Sequence, residues 1–504
     1  MQSVFDQGPP PPCPAPFNMA AYVLTGAKPD ADATAVTILG ADDKDSWTYG
    51  RLSDAVRGTG TGLLNAGCVP GDLVLMRLGN TIDFPIAYLG ALAAGLVPVP
   101  TSSALTEVEV ARIVADLSPR LVLRDPAVAS APGPREVDLD ALHQMRSLAP
   151  VDWHMGDPNR LGYVIYTSGT SGQPRAVAHA HRAISARRMM YDGWYGLRPQ
   201  DRLMHAGAFN WTYTLGTGLM DPWSVGATAL IPAPGTLPEA MGPLLANHRA
   251  TIFAAAPGVY RQMLARGMLP DLPDLRHGLS AGEKLPPATR TAWTKATDTP
   301  IYEAYGMSEC STFVSSCPSR PGDPETLGQP QTGRRVAILG REGPVARNTP
   351  GVIAVHQSDP GLMIGYLHQP DETAAKMQGE WFLTGDIGQM GADGQITYLG
   401  RNDDMMNAGG YRVSPVEVEA ALADAPGVTG VGAAQIEVKA DTYVIAAFYT
   451  AEAPLDASLL QAHAAQRLAS YKRPRAYFHV DQIPTGGNGK ILRRALPKLA
   501  SLLK

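Results

Sequence analysis

The sequence predicts an α/β protein of two domains: a large N-terminal domain of layered α/β subdomains over residues 1–402, and a small α+β C-terminal domain over 403–504. Three observations carry this. From about Phe17 to Gly400, short apolar runs rich in β-branched residues alternate with amphipathic stretches, the pattern of strands separated by helices and of largely parallel sheets. A polar break, Asn402-Asp-Asp404, then interrupts the pattern. Beyond it, strand and helix signals regroup into a compact unit of domain size. With 504 residues, 45% of them apolar and 18% charged, the chain has material for large cores and is no disordered polyelectrolyte.

Taken in order, the Pro-rich opening up to about Phe17 reads as an irregular arm. Leu73-Val-Leu-Met-Arg77 reads as a strand, and 84–94 has helical apolar spacing. Residues 121–124, 161–166 and 250–255 are further short buried strands. Gly391-Ala-Asp-Gly394 followed by 395–399 reads as a tight turn feeding a strand. Ser414-Pro-Val-Glu417 opens a helix, with Ser as cap, Pro at the first helical position and Glu three residues on. The remainder reads as strand 428–436, strand 443–449, helix 458–469, strand 476–480 and helix 492–503. No repeat is visible.

The 42 Lys and Arg against 47 Asp and Glu give a net charge of −5, without the basic excess of a dedicated nucleic-acid binder. No apolar run reaches the roughly 18 residues of a membrane span. The first residues lack the basic start and apolar core of a signal peptide. Cys13, Cys68, Cys310 and Cys317 form neither a disulfide framework nor a paired metal motif. A soluble, cytoplasmic enzyme is expected.

The most informative segment is Tyr166-Thr-Ser-Gly-Thr-Ser-Gly-Gln-Pro-Arg175, which follows a buried strand and precedes a stretch, 182–191, that reads as helical. Glycines let a backbone approach phosphate oxygens closely, and hydroxyls and backbone N–H groups donate to them. The Walker spacing is absent. On composition alone the segment is equally a Ser/Thr/Gly surface turn, a lone Glu309 or Lys490 is a solvated charge, and Thr384-Gly-Asp386 is an ordinary turn.

The ordered set alters those readings. The segment resembles the phosphate loop of the adenylate-forming superfamily of acyl-CoA synthetases, peptide-synthetase adenylation domains and luciferases. Tyr305-Gly-Met-Ser-Glu309 resembles that family's Tyr-Gly-x-Thr-Glu, and Thr384-Gly-Asp386 its Thr-Gly-Asp. Gly400-Arg-Asn-Asp-Asp404 with Gly409-Gly-Tyr-Arg-Val-Ser-Pro-Val-Glu417 resembles its hinge motif, and Gly489-Lys490-Ile-Leu-Arg493 its C-terminal Gly-Lys. The departures are Gln173, Arg175 and Ala176 in place of Lys, Lys and Gly, Ser308 in place of Thr, and Thr485-Gly486 in place of Lys-Thr.

The resemblance implies a carboxylic acid–CoA ligase acting in two steps with ATP, Mg²⁺ and coenzyme A: an acyl-adenylate and pyrophosphate first, then a thioester and AMP. It implies that Thr167, Ser168, Gly169, Thr170, Ser171, Gly172 and Arg175 wrap the phosphates, with Ser308 beside them. Glu309 would hold Mg²⁺, a hard cation suited to carboxylate and phosphate oxygens. Lys490 would stabilise the charge developing between substrate carboxylate and α-phosphate. Asp386 and Arg401 would bind the ribose, Tyr305 would stack on adenine, and Gly282, Glu283 and Lys284 would line the nucleotide. Asp403 would be the hinge, and Gly409 and Gly410 would border the thiol's path. Cys310 reads as a packed side chain, and His179 and His181 as packing or hydrogen-bonding to the loop.

The acyl pocket is expected around Trp211, Ala281, Ala304 and Gly306. Acetate-specific members of the resembling family close the pocket with a bulky aromatic where Gly306 stands, so the resemblance implies that acetate is disfavoured and that a longer or aromatic acid has room. Trp211 with Met220-Asp-Pro-Trp223 resembles short- and medium-chain acyl-CoA synthetases, and Ser280-Ala-Gly-Glu-Lys-Leu-Pro286 resembles benzoate-CoA ligases. The expected partners are therefore a small carboxylic acid and CoA, with neither nucleic acid nor membrane; homodimerisation is left open. Loading of a carrier protein and non-catalytic nucleotide binding are the alternatives.

Overall fold

The computed structural model describes residues 1–40, 45–167, 175–265, 269–401, 404, 406–408, 411–439, 442–468, 472–486 and 490–502. The chain divides into two compact units. The larger comprises Phe5–Arg335 and Val355–Phe382; the smaller comprises Met1–Val4, Val336–Ala354 and Leu383–Lys504. Residues 402 and 403, where the sequence places its domain boundary, lie outside the described residues.

The larger unit is built on a nine-stranded sheet in the order Gln329–Pro330, Ser311–Ser315, Ile301–Met307, His277–Ala281, Ile252–Ala255, Arg202–His205, Thr228–Pro232, Thr34–Leu39, Asp45–Thr48. Its centre is parallel and its margins antiparallel. The central strands are apolar on both faces: all four residues of Ile252–Ala255 are buried, as a parallel strand covered on both sides requires. A second, four-stranded parallel sheet runs Val97–Pro100, Leu73–Arg77, Leu121–Arg124, Arg135–Asp138. The strands expected at 73–77 and 121–124 are both present.

Between the Ser/Thr/Gly loop and the helical stretch at 182–191 the structure holds a strand that the sequence does not announce: Leu161–Thr167 and Arg175–Ala180 form an antiparallel hairpin in which Thr167 and Arg175 are register partners. Residues 176–180 are all buried, so the polar alternation that reveals a half-buried strand is missing from them. Helix follows at Ala183–Ala186 and Arg188–Met190, within the stretch that reads as helical. Gly365–Tyr366 adds a third strand to the hairpin, with Tyr366 opposite Val177.

In the smaller unit, residues 386–390 of the strand Trp381–Met390 pair antiparallel with Ile396–Arg401 around the turn read from Gly391-Ala-Asp-Gly394. The C-terminal elements match the sequence pattern. Helix Pro415–Leu422 has Ser414 as its cap, accepting from the Glu417 amide at 3.3 Å. Gly430–Lys439, Thr442–Thr450 and Ala476–His479 form a sheet, and helices Ala457–Arg467 and Leu496–Leu502 accompany it. Among the described residues no helix is long and apolar enough to cross a membrane.

Candidate active site

In the larger unit the strand ends collect the expected acyl- and nucleotide-binding residues. Ala281 and Ala304 are register partners on adjacent parallel strands. Gly282, just past the strand end, has φ +95°, and a Cβ there would lie 2.8 Å from a ring carbon of Trp211. Glycine is therefore needed both for the backbone and for the close approach of the indole. Trp211 in turn meets Tyr213 edge-on at 5.5 Å. Tyr305 packs edge-to-face on Phe313 at 5.3 Å.

Gly306 has a different reason to be small than pocket space. The pairing of Ile301–Met307 with Ser311–Ser315 shifts register between Tyr305 and Gly306. A Cβ at 306 would sit 2.0 Å from the Ser311 carbonyl oxygen and 2.5 Å from the Thr312 Cα. The neighbouring backbone excludes any side chain, so the glycine does not by itself report the length of the acid.

Ser308 and Glu309 occupy the turn between those two strands. Their backbone is held from two sides: the buried His179 Nε2 lies 2.7 Å from the Ser308 carbonyl, and the Met363 amide donates to the Glu309 carbonyl at 2.7 Å. The Tyr366 hydroxyl donates to Glu309 Oε1 at 2.7 Å. Burial, then the adjacent Glu309 charge, raises the Tyr366 phenol, so it remains a donor. Arg175 pairs with Glu372 at 2.7 Å and places its guanidinium over the Tyr366 ring, 5.1 Å from the centroid. Burial lowers His179 to about 4 and His181 to about 3, so both are neutral. His179 stacks on Tyr163 at 4.8 Å, and His181 Nδ1 accepts from the Met19 amide. Cys310 is fully buried and its thiol is raised well above its ordinary value by burial, which makes it a packed side chain.

Two buried ionic groups escaped the sequence reading. Glu303, 2% exposed, accepts from the Leu285 amide at 2.8 Å and from Arg290 at 2.9 Å, which ties down the segment that carries Gly282, Glu283 and Lys284. Burial pushes its carboxyl up to about 7 against the opposing pull of Leu285 and Arg290. Arg187 binds Asp221 through Nε and Nη2 at 2.8 and 2.6 Å, and Tyr195 donates to the same carboxylate at 2.7 Å. The partners lie 13 to 34 residues apart, and no short spacing signals them.

In the smaller unit, Asp386 and Arg401 are cross-strand register partners, with carboxylate and guanidinium 3.5 Å apart. The Thr-Gly-Asp segment, which reads from composition as a turn, lies within the strand Trp381–Met390; Thr384 anchors it by donating to the Ile353 carbonyl at 2.8 Å, and Gly385 has φ +82°. Lys490 is exposed; its carbonyl accepts from the Gly486 amide at 2.7 Å, and Thr485 bridges Ile491. Arg493 is pinned to Glu419 by two bonds of 2.8 and 2.6 Å and reaches Asp404 at 3.5 Å. Ser168, Gly169, Thr170, Ser171, Gly172, Asp403, Gly409 and Gly410 lie outside the described residues.

The motifs and the geometry agree with the comparisons. The family model of AMP-binding enzymes matches residues 25–367, and that of the AMP-binding enzyme C-terminal domain matches 417–490. The chain belongs to the AMP-binding enzyme family. This family member is 32% identical over 489 residues to the benzoate–CoA ligase of Thauera aromatica, covering 90% of each chain. It is 29% identical over 487 residues to the 3-hydroxybenzoate–CoA ligase of Aromatoleum sp. (strain CIB), covering 90% of this chain and 92% of that one. An anthranilate CoA ligase crystallised with anthranoyl-AMP superimposes with a TM-score of 0.87 at 25% identity, covering 97% of this chain and 98% of that one. The adenylate-forming resemblance and the two-domain α/β fold are thereby established.

Proposed function

We propose that this AMP-binding enzyme is an ATP-dependent, AMP-forming acid–CoA ligase acting on an aromatic, benzoate-like acid. The observation that carries the reading is the match to aromatic acid–CoA ligases over nine-tenths of both chains. In the first step the acid's carboxylate attacks the α-phosphorus of ATP and the bond to pyrophosphate breaks. In the second the CoA thiol attacks the acyl carbon, the bond to AMP breaks and the thiol proton is released. A thiol needs little activation at neutral pH, and the mixed anhydride is reactive, so no catalytic base is required.

The chain's own groups supply positioning and charge, which is what phosphoryl-type transfer demands. Glu309 suits Mg²⁺: Oε1 takes the Tyr366 hydroxyl, while Oε2 accepts nothing from the described residues. Among those residues no cluster of three or more His, Cys, Asp or Glu could hold a metal ion, so an ion there would share its ligands with phosphate, as Mg²⁺ does. Mg²⁺, when bound, neutralises phosphate charge. Thr167 to Gly172 and Arg175 would hold the phosphates, with Ser308 beside them. Asp386 would accept from the ribose hydroxyls and Arg401 donate to them; Tyr305 would stack on adenine, with Gly282, Glu283 and Lys284 alongside. Lys490 would stabilise the attacking carboxylate and the α-phosphate. The acid would lie among Trp211, Ala281, Ala304 and Gly306. Asp403 would serve as the hinge, and Gly409 and Gly410 would pass the thiol.

The test is acid-dependent AMP release from ATP and Mg²⁺, with and without CoA, over benzoate, hydroxybenzoates, 2-aminobenzoate and C2 to C10 fatty acids. AMP and a CoA thioester appearing together for ring-bearing acids is the expected result. Thioester from fatty acids alone would overturn the aromatic assignment. Pyrophosphate exchange without thioester would move the acceptor to a carrier protein.

A further inference from the structure

Tyr366 stands between two groups of opposite charge. Its hydroxyl donates to Glu309 Oε1 at 2.7 Å, and its ring lies 5.1 Å beneath the Arg175 guanidinium. Tyr366 is 4% exposed and has little freedom. Its amide donates to Thr373 Oγ1 at 2.9 Å, Val177 is its register partner, and the next amide, Leu367, donates to the Ala176 carbonyl at 2.8 Å. Two residues before Gly365, the Met363 amide holds the Glu309 carbonyl itself. The segment from Met363 to Leu367 thus grips both the strand that leaves the Ser/Thr/Gly loop and the turn that carries Glu309.

A carboxylate only accepts; one of its two oxygens is committed to the phenol, and the other, Oε2, accepts nothing from the described residues. Hydrogen bonds to ionised groups are among the stronger ones in proteins. Arg175 lies over the ring and still reaches Glu372; a guanidinium offers a planar face as well as donors, whereas an ammonium has no such face. Glu372 is half-exposed and already neutralises Arg175.

We propose that Tyr366 is a positioning residue for the magnesium-binding carboxylate: its hydroxyl fixes Glu309 so that Oε2 points at the cation shared with ATP, and its ring seats Arg175 beside the phosphates. This inference rests on the ligase reading above, which assigns ATP to the site.

The experiment is ATP binding to the full-length protein by calorimetry, titrated over a series of Mg²⁺ concentrations and in EDTA, with melting temperature recorded in parallel. Tyr366→Phe keeps the ring and removes the hydroxyl. The Mg²⁺ concentration that half-maximally enhances ATP binding should rise roughly tenfold, the loss expected for a hydrogen bond to a charged group. ATP binding in EDTA should stay within about twofold of the wild type. Thr373→Val, which removes the acceptor of the Tyr366 amide in the same segment without touching the hydroxyl or Arg175, should leave the Mg²⁺ midpoint unmoved. An unchanged or lower Mg²⁺ midpoint in Tyr366→Phe, with wild-type binding intact, overturns the inference alone, as does an equal shift in Thr373→Val. A wild-type protein that binds no ATP in the presence of Mg²⁺ overturns the inference together with the ligase reading.

Discussion

Glu309 and Lys490 carry opposite charges and opposite kinds of support. In the larger unit, Glu309 is held through its side chain by a buried tyrosine and through its backbone by the Met363 amide. In the smaller unit, Lys490 is exposed, and the rigidity lies in its foundation, where Arg493 is bound to Glu419 and Asp404. In the proposed roles, a carboxylate that is to receive a cation in one geometry benefits from being set in advance, and a lysine that is to serve only the first of two steps benefits from a mobile side chain on a fixed base. The two regions should therefore respond differently to substitution.

The largest effect is expected at Lys490. Lys490→Ala should lower acyl-AMP formation by about 10²-fold or more, leave thioester formation from supplied acyl-AMP intact, and leave the melting temperature unchanged because the side chain is exposed. Equal loss of both half-reactions would break the assignment. Arg493→Met tests the foundation instead: it strands the buried Glu419 and should cost about 3–5 kcal/mol. Hydrogen exchange should locate that loss in the smaller unit, with protection of the nine-stranded sheet unchanged.

Glu303 sharpens the contrast through pH. Its carboxyl is raised from an ordinary 4.5 to about 7, so folding favours the protonated form. Its contribution to stability is complete below about pH 4.5 and is lost as pH rises through 7, about 3 kcal/mol in all. Denaturant unfolding between pH 5 and 8 should show that decline in the wild type and a flatter profile in Glu303→Gln. Gly306→Ala should destabilise by about 1–3 kcal/mol through the clash with the neighbouring backbone. A variant of unchanged stability with narrowed acid preference would restore Gly306 as a gauge of pocket size. The smallest effect is expected at Cys310: iodoacetamide should leave it unmodified in the native protein and leave AMP release unchanged, as its burial requires.

What was legible in the sequence had local causes. Ser414-Pro-Val-Glu417 predicts its helix because cap, first-turn proline and Glu417 amide act within one turn. Leu73–Arg77 and Leu121–Arg124 are short apolar runs bounded by polar residues, and each is a strand. What was hidden depends on distant partners or on burial. Tyr366 meets Glu309, and Arg187 meets Asp221, only because the fold brings separate segments together. Residues 176–180 give no strand signal because they are buried on both faces and so show no alternation. Gly306 was legible as small but not as the seat of a register shift, since its obstacle is the backbone of another strand.

One feature of the smaller unit constrains how this gene could be recombined. On the hairpin that carries the ribose-binding candidates, Ile396 to Tyr398 pair with Met390 to Gly388, but the register then shifts between Ile387 and Gly388, so that Asp386 meets Arg401. An unshifted ladder would set Asp386 opposite Gly400, and a one-residue slip turns side chains to the other face of a sheet. Inserting one residue beside Leu399 would exchange the arginine for a glycine while preserving every residue that a motif search reads. Chimeras joined within the Gly391-Ala-Asp-Gly394 turn keep the pairing; those joined between Tyr398 and Arg401 keep it only if the parental lengths agree.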